Sequence, residues 1–230
     1  MSADKFSFYD FFVNIVPGTV ALLIFISLLP AQYDAMSIVS DVSLLSGSAF
    51  LILSYILGHL VQSIASPVDS WWMTKSFQFW IMNKEDRLYP FENLLTKARE
   101  NDNYVVARRF IECKDDFFED NLTGGELFLA THSYLWNHNI GRMRRFQVLY
   151  TLFRSLWVLF LFGTGFYLVV FLVQWQEWYE TVWTYKELLI IIVLLGISTV
   201  LAYLRRVKFH KKMAKTMIFD FYANVLSQND

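Results

Sequence analysis

The sequence predicts an all-α membrane protein, a four-helix transmembrane bundle with a helical cytoplasmic domain inserted between spans 2 and 3. Four long apolar stretches, an uneven distribution of Lys and Arg, and helical patterns between the second and third stretches support this prediction. Hydrophobic residues make up 55% of the 230 residues and charged residues only 18%. Because soluble domains carry about a quarter charged residues, part of this apolar surface requires a solvent other than water.

Each span follows from length and hydropathy. A helix needs roughly 20 apolar residues to cross a hydrocarbon core of about 30 Å. The stretches that qualify are about 11–30, 47–64, 149–175 and 188–204. We expect a kink at Pro17 in the first span, because proline cannot donate a helical hydrogen bond. Acidic residues near the N-terminus and the lack of a small-x-small motif indicate a retained span rather than a cleaved signal peptide.

The orientation follows from the positive charges in the loops. Residues 66–150 contain eleven Lys and Arg, and the segment after the fourth span contains six. Residues 31–46 contain none, and residues 176–187 contain only Lys186. Since basic loops stay on the cytoplasmic side, both termini are predicted to be cytoplasmic. Trp and Tyr residues in the second outer loop are typical of a membrane interface.

The predicted domains follow this topology. Residues 1–66 form the N-terminal segment and first hairpin, 67–148 the cytoplasmic helical domain, 149–204 the second hairpin and 205–230 a basic tail. The Ser66-Pro67 pair with Asp69 predicts a new helix start, which would lead into an aromatic segment reaching Trp80. Further helices are predicted at about 91–100, 104–120 and 125–138, and the helix after Gly141 is predicted to continue into the third span.

The second span carries two sets of residues at helical spacing. Small and polar residues on one stripe predict a helix-packing face: Ser54, Gly58, Gln62 and Ala65. His59, Gln62 and Ser63 form a candidate intramembrane polar site. The set lies near the cytoplasmic end of the span, where polar groups need partners inside the bundle. The histidine is therefore either pore-lining or proton-sensing, or it forms a hydrogen bond to a neighbouring helix or extends towards the lipid headgroups.

Basic residues cluster beside the third and fourth spans. The candidate anionic-ligand or lipid-binding residues are Arg142, Arg144, Arg145, Arg154, Arg205, Arg206, Lys208, Lys211 and Lys212. Membrane topology and contact with anionic lipid explain such a cluster, each charge contributing about 1 kcal/mol near the surface. The alternative is a site for a nucleotide or nucleic acid at the cytoplasmic face.

Motifs for catalysis are weak. Arg205 and His210 have the spacing of one class of helical ribonuclease, which leaves a membrane-tethered nuclease as an alternative. Four acidic residues between 115 and 120 suit either a divalent cation or a solvated helix face. The sequence has no P-loop, dinucleotide fingerprint or nucleophile elbow, and Cys113 is its one cysteine. We therefore expect no enzyme activity, no cofactor and no bound metal.

Three segments carry a family resemblance. They are Tyr9–Gly18 (YDFFVNIVPG), Leu53–Ser66 (LSYILGHLVQSIAS) and Arg142–Leu156 (RMRRFQVLYTLFRSL). They resemble prokaryotic four-span membrane proteins of uncharacterised function, whose layout is similar to that of membrane components of anti-phage defence systems. The resemblance implies a homo-oligomeric sensor or effector, in which a cytoplasmic signal or partner rearranges or permeabilises the membrane. The alternative of a different class is a non-conducting scaffold that recruits a soluble protein partner.

Overall fold

A computed structural model describes residues 8–28, 44–74, 90–101, 104–114, 117–118, 122–138, 142–178 and 183–229. These residues form helices without strands, which confirms the all-α prediction. The helices are α1 (Phe8–Ser27), α2 (Leu44–Thr74), α3 (Pro90–Glu100), α4 (Val105–Lys114), α5 (Gly124–Asn137), α6 (Arg142–Trp175) and α7 (Tyr185–Asn229).

The chain divides into two compact units. The first comprises residues 1–71 and 151–206, and the second comprises residues 72–150 and 207–230. Helices α6 and α7 therefore contribute residues to both units. The predicted basic tail is mostly part of the second unit, in which it is helical rather than a separate extension.

Three of the described helices are long and apolar enough to cross a membrane. They contain the segments Gly47–Trp72, Arg142–Trp175 and Tyr185–Val225. The apolar part of α1, Phe11–Ser27, is shorter, and the predicted end of this span at Pro30 lies outside the described residues. The structure thus supports a membrane protein with three candidate spans, and the fourth span stays a prediction.

Two glycines bring the backbones of α1 and α2 into direct contact. A Cβ atom on Gly18 would lie 1.6 Å from the backbone oxygen of Ser54, and one on Gly58 would lie 1.8 Å from that of Asn14. These distances are far below van der Waals contact, so no side chain fits at either position. Small residues allow this close approach between membrane helices. The contact uses the face of α2 that the small-residue stripe predicts.

Helix α1 continues through Pro17. Proline lacks the N–H that would bond to the carbonyl four residues earlier, which here belongs to Val13. Gln62 on α2 lies within reach of that same carbonyl, with Nε2 3.4 Å from the Val13 oxygen. Neighbouring helices commonly satisfy backbone groups that proline leaves without a partner inside a membrane.

The prediction that Ser66-Pro67 starts a new helix is wrong, because α2 continues through Pro67 to Thr74. Proline removes a single hydrogen bond from the helix, to the carbonyl of Ser63. Ala65 and Asp69 on either side of Pro67 are both buried. Tertiary packing of these residues holds the helix together where the local sequence favours a break.

Polar contacts join α1, α6 and the start of α7 at the end of α1. The hydroxyl groups of Ser27 and Tyr167 form a hydrogen bond between α1 and α6. Trp183, just before α7, donates from Nε1 to the backbone oxygen of Ser27 at 2.9 Å. Gln174 on α6 donates to the carbonyl oxygen of Trp183 at 3.1 Å. These bonds fix three chain segments against one another at one end of the first unit.

Phe221 lies at the centre of the second unit and is fully buried. Four aromatic rings surround it at centroid distances of 5.1 to 5.5 Å, from Phe110, Phe117, Phe118 and Tyr134. The same helix buries an apolar stripe at helical spacing: Met213, Ala214, Met217, Ile218 and Val225. The last part of α7 is therefore a core element of this unit.

Helix α4 ends at Lys114, earlier than the predicted end near residue 120. Phe117 and Phe118 lie in a turn, and both of their backbone N–H groups donate to the Lys114 carbonyl. Successive residues of a helix point about 100° apart. The turn instead lets both rings reach Phe221, which explains why the helix stops.

Helix α5 starts with a capping box. The Glu126 carboxylate accepts hydrogen bonds from the backbone N–H and the hydroxyl of Thr123, at 2.8 and 2.7 Å. The Thr123 hydroxyl accepts from the Glu126 N–H at 3.4 Å. Such reciprocal bonds satisfy amides that the first helical turn leaves without partners.

The glycine contact predicts a large difference between two Gly→Ala substitutions. We expect Gly58→Ala to lower the thermal stability of the detergent-solubilised protein, because the new methyl group collides with α1 backbone. Gly196→Ala is the matched control, since no atom lies within 4 Å of its Cβ position. Its helix should gain up to about 1 kcal/mol. Equal melting temperatures for the two variants would contradict the described packing.

The capping box predicts a pH dependence for α5. The hydrogen bonds from Thr123 lower the pKa of Glu126 below its ordinary value of 4.5. The stabilisation is therefore present above pH 4.5 and is lost as the pH falls through the lowered pKa. We expect faster hydrogen exchange of the α5 amides at acidic pH, after correction for the intrinsic rate, measured by mass spectrometry. Thr123→Ala should weaken this dependence, and an unchanged profile would contradict it.

Candidate functional site

The Asp69 carboxylate is the centre of a polar cluster in the first unit. Arg206 on α7 donates from Nη2 to Oδ2 of Asp69 at 2.5 Å. Trp157 on α6 donates from Nε1 to Oδ1 at 3.2 Å. Each carboxylate oxygen therefore accepts from a different helix, and the cluster joins α2, α6 and α7.

All three side chains are withdrawn from solvent. Arg206 is 1% exposed, Trp157 2% and Asp69 3%. Removing an isolated charge from water costs several kcal/mol, and only close pairing with further hydrogen bonds offsets that cost. The second oxygen of Asp69 accepts from the indole rather than remaining without a donor, so the carboxylate meets this requirement.

Aromatic packing fixes the position of the Arg206 side chain. The Tyr203 ring lies one helical turn earlier on α7, with its centroid 5.9 Å from the guanidinium carbon. It also makes an edge-to-face contact with Trp157 at 5.6 Å. Since α2 must continue past Pro67 to carry Asp69 to this point, the continuity of α2 is what assembles the cluster.

The chemistry of this cluster is structural. Its side chains are buried and already hydrogen-bonded to each other, so they offer no accessible nucleophile or proton-transfer group to a substrate. What the arrangement can do is hold α7 against α2 and α6 at the last residue of the first unit. Breaking the ion pair would release α7 at that position.

The predicted intramembrane polar set is split by the structure. Gln62 is half-buried and turned towards the Val13 carbonyl of α1. His59 and Ser63 are exposed on another face of α2. The Ser63 hydroxyl donates to the His59 carbonyl at 2.9 Å, and the His59 ring contacts the Tyr55 ring edge-on at 4.7 Å. The three predicted residues do not form one site within the unit.

Among the predicted basic residues of the first unit, Arg205 is exposed and Arg154 is half-buried. Arg206 departs from its predicted role, because its guanidinium group is buried against Asp69. A buried, paired arginine cannot contact a lipid headgroup or a soluble anion. In this arrangement the guanidinium group of Arg206 binds Asp69.

The basic residues of the second unit also differ in their surroundings. Arg142 binds Asp220 through Nε at 2.8 Å. Arg144 lies over the Trp136 ring at 4.8 Å, and Lys212 over the Phe146 ring at 5.7 Å. The exposed members are Arg142, Arg145, Lys208, Lys211 and Lys212, of which Arg142 is already paired with Asp220. These exposed residues are the part of the predicted set that an anion can reach.

The two residues of the nuclease alternative have different surroundings. Arg205 is exposed and belongs to the first unit. His210 belongs to the second unit, is 8% exposed and packs against the Tyr150 ring at 4.8 Å. The nuclease alternative stays a prediction.

The second unit has an apolar cavity of about 260 Å³. Its lining includes Leu94, Tyr104, Val105 and Phe219, with Lys215 as the charged member. In the described part of the chain, no group of three His, Cys, Asp or Glu residues could hold a metal ion. The acidic residues considered for a divalent cation between 115 and 120 lie outside that part.

The described helices define an all-helical protein whose long apolar helices fit a membrane. The chain matches no protein-family model, no curated protein and no solved structure. The resemblance to prokaryotic four-span membrane proteins therefore stays a prediction.

The ion pair predicts that substitution of one partner lowers the stability of the protein more than replacement of both partners does. We expect Asp69→Asn to destabilise the solubilised protein by roughly 3–5 kcal/mol, because Arg206 then keeps a buried charge without its counter-ion. The double variant Asp69→Leu/Arg206→Met should recover much of this loss. Thermal unfolding followed by size-exclusion chromatography measures both.

Arg205→Gln is the control for that series, because Arg205 is the exposed neighbour of Arg206. It should change stability by no more than about 0.5 kcal/mol. If Asp69→Asn and Arg205→Gln had the same melting temperature, the ion pair would not be a determinant of stability.

Proposed function

We propose that this chain is a four-span inner-membrane protein with cytoplasmic termini, in which the second unit passes a signal to the membrane helices. The charge distribution supports the orientation, since both segments rich in Lys and Arg fall on one side of such a topology. The backbone contact of α1 with α2 supports the first span. A helix packed that closely on a membrane helix is best accommodated inside the membrane as well.

The observation that carries the proposal is the sharing of α6 and α7 between the two units. A change in the second unit can act on the membrane helices through these continuous helices. The division on α7 falls directly after Arg206, whose ion pair attaches this helix to α2. The pair is then suited to hold the resting arrangement of the membrane helices.

Among signalling membrane proteins, we propose the class of oligomeric sensors or effectors of prokaryotic anti-phage defence. The trigger would be a cytoplasmic signal or a soluble partner that binds the second unit. The response would be a rearrangement of the spans that permeabilises the membrane. The three resembling segments and the shared helices support this proposal.

Infection of a bacterial host that expresses the chain tests this proposal with the natural trigger present. We expect fewer plaques for at least some phages of a diverse panel, and entry of propidium iodide into infected cells before lysis. Unaltered plaque counts and intact membranes across the panel would exclude the defence effector.

The variant Asp69→Leu/Arg206→Met is the informative comparison in this assay. It removes the attachment of α7 to α2 without leaving a buried charge. We expect its cells to take up the dye without infection if the pair holds the resting state. Dye uptake equal to that of the wild type before infection would show that the pair has no part in the response.

A scaffold that binds a soluble partner is the second candidate, favoured by exposed apolar residues on the second unit. Val105 is 60% exposed and Leu129 63%. If this unit recruits a partner, Leu129→Glu should abolish co-purification and Leu129→Met should retain it. A partner that is captured equally by both variants would not use this surface.

A further inference from the structure

Helix α2 carries an exposed polar stripe whose described contacts stay within the helix. His59, Ser63 and Ser66 are all exposed and follow one another at intervals of four and three residues. At 100° per residue, these side chains lie within about 60° of each other around the helix. His59 is also close to the midpoint of the candidate span Gly47–Trp72.

The neighbouring exposed surface of the same helix is apolar. Leu53, Leu60 and Ile64 are each more than half exposed. Lipid chains are a suitable environment for these side chains, but not for an imidazole ring. Ile52 and Ile56, which lie within about 60° of His59 one to two turns earlier, are also exposed, so the polar surface is confined to the section from His59 to Ser66.

The His59 ring has hydrogen-bonding capacity that the unit does not satisfy. A neutral imidazole has one N–H donor and one nitrogen acceptor. In the described part of the chain, its ring contact is to Tyr55, and no hydrogen bond to either ring nitrogen is formed. Because Ser63 already donates its hydroxyl proton to the His59 carbonyl, its oxygen remains available as an acceptor.

We propose that this stripe is the interface with a second copy of the chain, which packs α2 against α2. This inference rests on the proposed function, in which α2 spans the membrane. Two copies inserted in the same direction are related by a two-fold axis along the membrane normal, which brings identical residues to the same depth. His59 of each copy then faces His59 and Ser63 of the other.

A second copy is the favoured partner because the stripe on one copy is complementary to the same stripe on another copy. One imidazole supplies the donor that the other imidazole or the Ser63 oxygen accepts, so two copies satisfy each other without another molecule. Ser63 and Ser66 are small enough for two helices to approach closely. The contact with α1 uses Gly58, about 100° from His59, together with Gln62 and Tyr55, about 60° and 40° from it on the same side. Ser63 lies on the other side of His59, which leaves room for the second copy there.

Disulfide cross-linking in native membranes tests the interface. Cys113→Ser, which removes the only cysteine of the chain, provides the background for single cysteines. Ser63→Cys and Ile64→Cys form the matched pair, because they have the same depth but point about 100° apart. On addition of copper phenanthroline, which accepts the two electrons released by the two thiols, we expect a cross-linked dimer from Ser63→Cys and little from Ile64→Cys.

The reverse pattern, or equal cross-linking of both positions, would overturn the interface. Labelling with a membrane-impermeant maleimide separates this failure from failure of the topology. If α2 spans the membrane, neither cysteine is labelled. If Ser63→Cys is labelled, the span itself is wrong. If the cysteine of Ser63→Cys is not labelled by the maleimide and also forms no cross-link between two copies, a lipid or a different protein covers the stripe. The proposed second copy is then excluded.

The imidazole itself is tested with Ser66→Cys as the reporter. We expect His59→Leu to weaken dimerisation about threefold to thirtyfold, the range for hydrogen bonds between membrane helices. His59→Gln, which keeps a donor and an acceptor, should weaken it less. Both variants should elute as folded protein in detergent, because His59 is exposed within the unit. Equal cross-linking of His59→Leu and the parent would rule out the imidazole as the contact.

Discussion

A buried carboxylate needs a counter-ion and hydrogen-bond donors close to it. Asp69 obtains them from two other helices, so three helices meet at this residue. Its ion pair with Arg206 and its hydrogen bond from Trp157 require α2, α6 and α7 to meet at one point. The requirement extends back along α2, because Asp69 reaches that point only if the helix continues through Pro67. The proposed passage of a signal along α7 depends on this attachment.

Several polar groups of the first unit follow the same rule, that polar groups in apolar helices find partners inside the protein. Gln62 lies within hydrogen-bonding distance of the carbonyl that Pro17 leaves without a donor. Ser27 bonds to both Tyr167 and Trp183 at the end of α1. The buried hydroxyl groups of Ser54 and Ser155 have no hydrogen-bond partner among the described residues. The His59 ring differs from these two because it is exposed, and that is the reason to consider a second copy as its partner.

The sequence predicts the fold class and most helices well, because hydropathy and helical spacing report directly on burial. Helices α3 and α5 and the continuous α6 agree with their predicted positions. Predictions from local signals were less accurate, since Pro67 does not end α2 and α4 ends at Lys114 to place two rings on Phe221. The candidate site was missed because the partners Asp69, Trp157 and Arg206 lie on separate helices. The sequence offers one indication of this site. An acidic residue follows one predicted span and a basic residue follows another, on the same predicted side of the membrane.

The burial of Phe221 has a consequence for the order of synthesis. The ring that completes the core of the second unit lies on the last helix, after every predicted span, whereas most of its neighbours precede the third span. During translation, α3 to α5 leave the ribosome long before the residue they pack against. The core of the second unit can therefore be completed only after all the predicted spans have been synthesised.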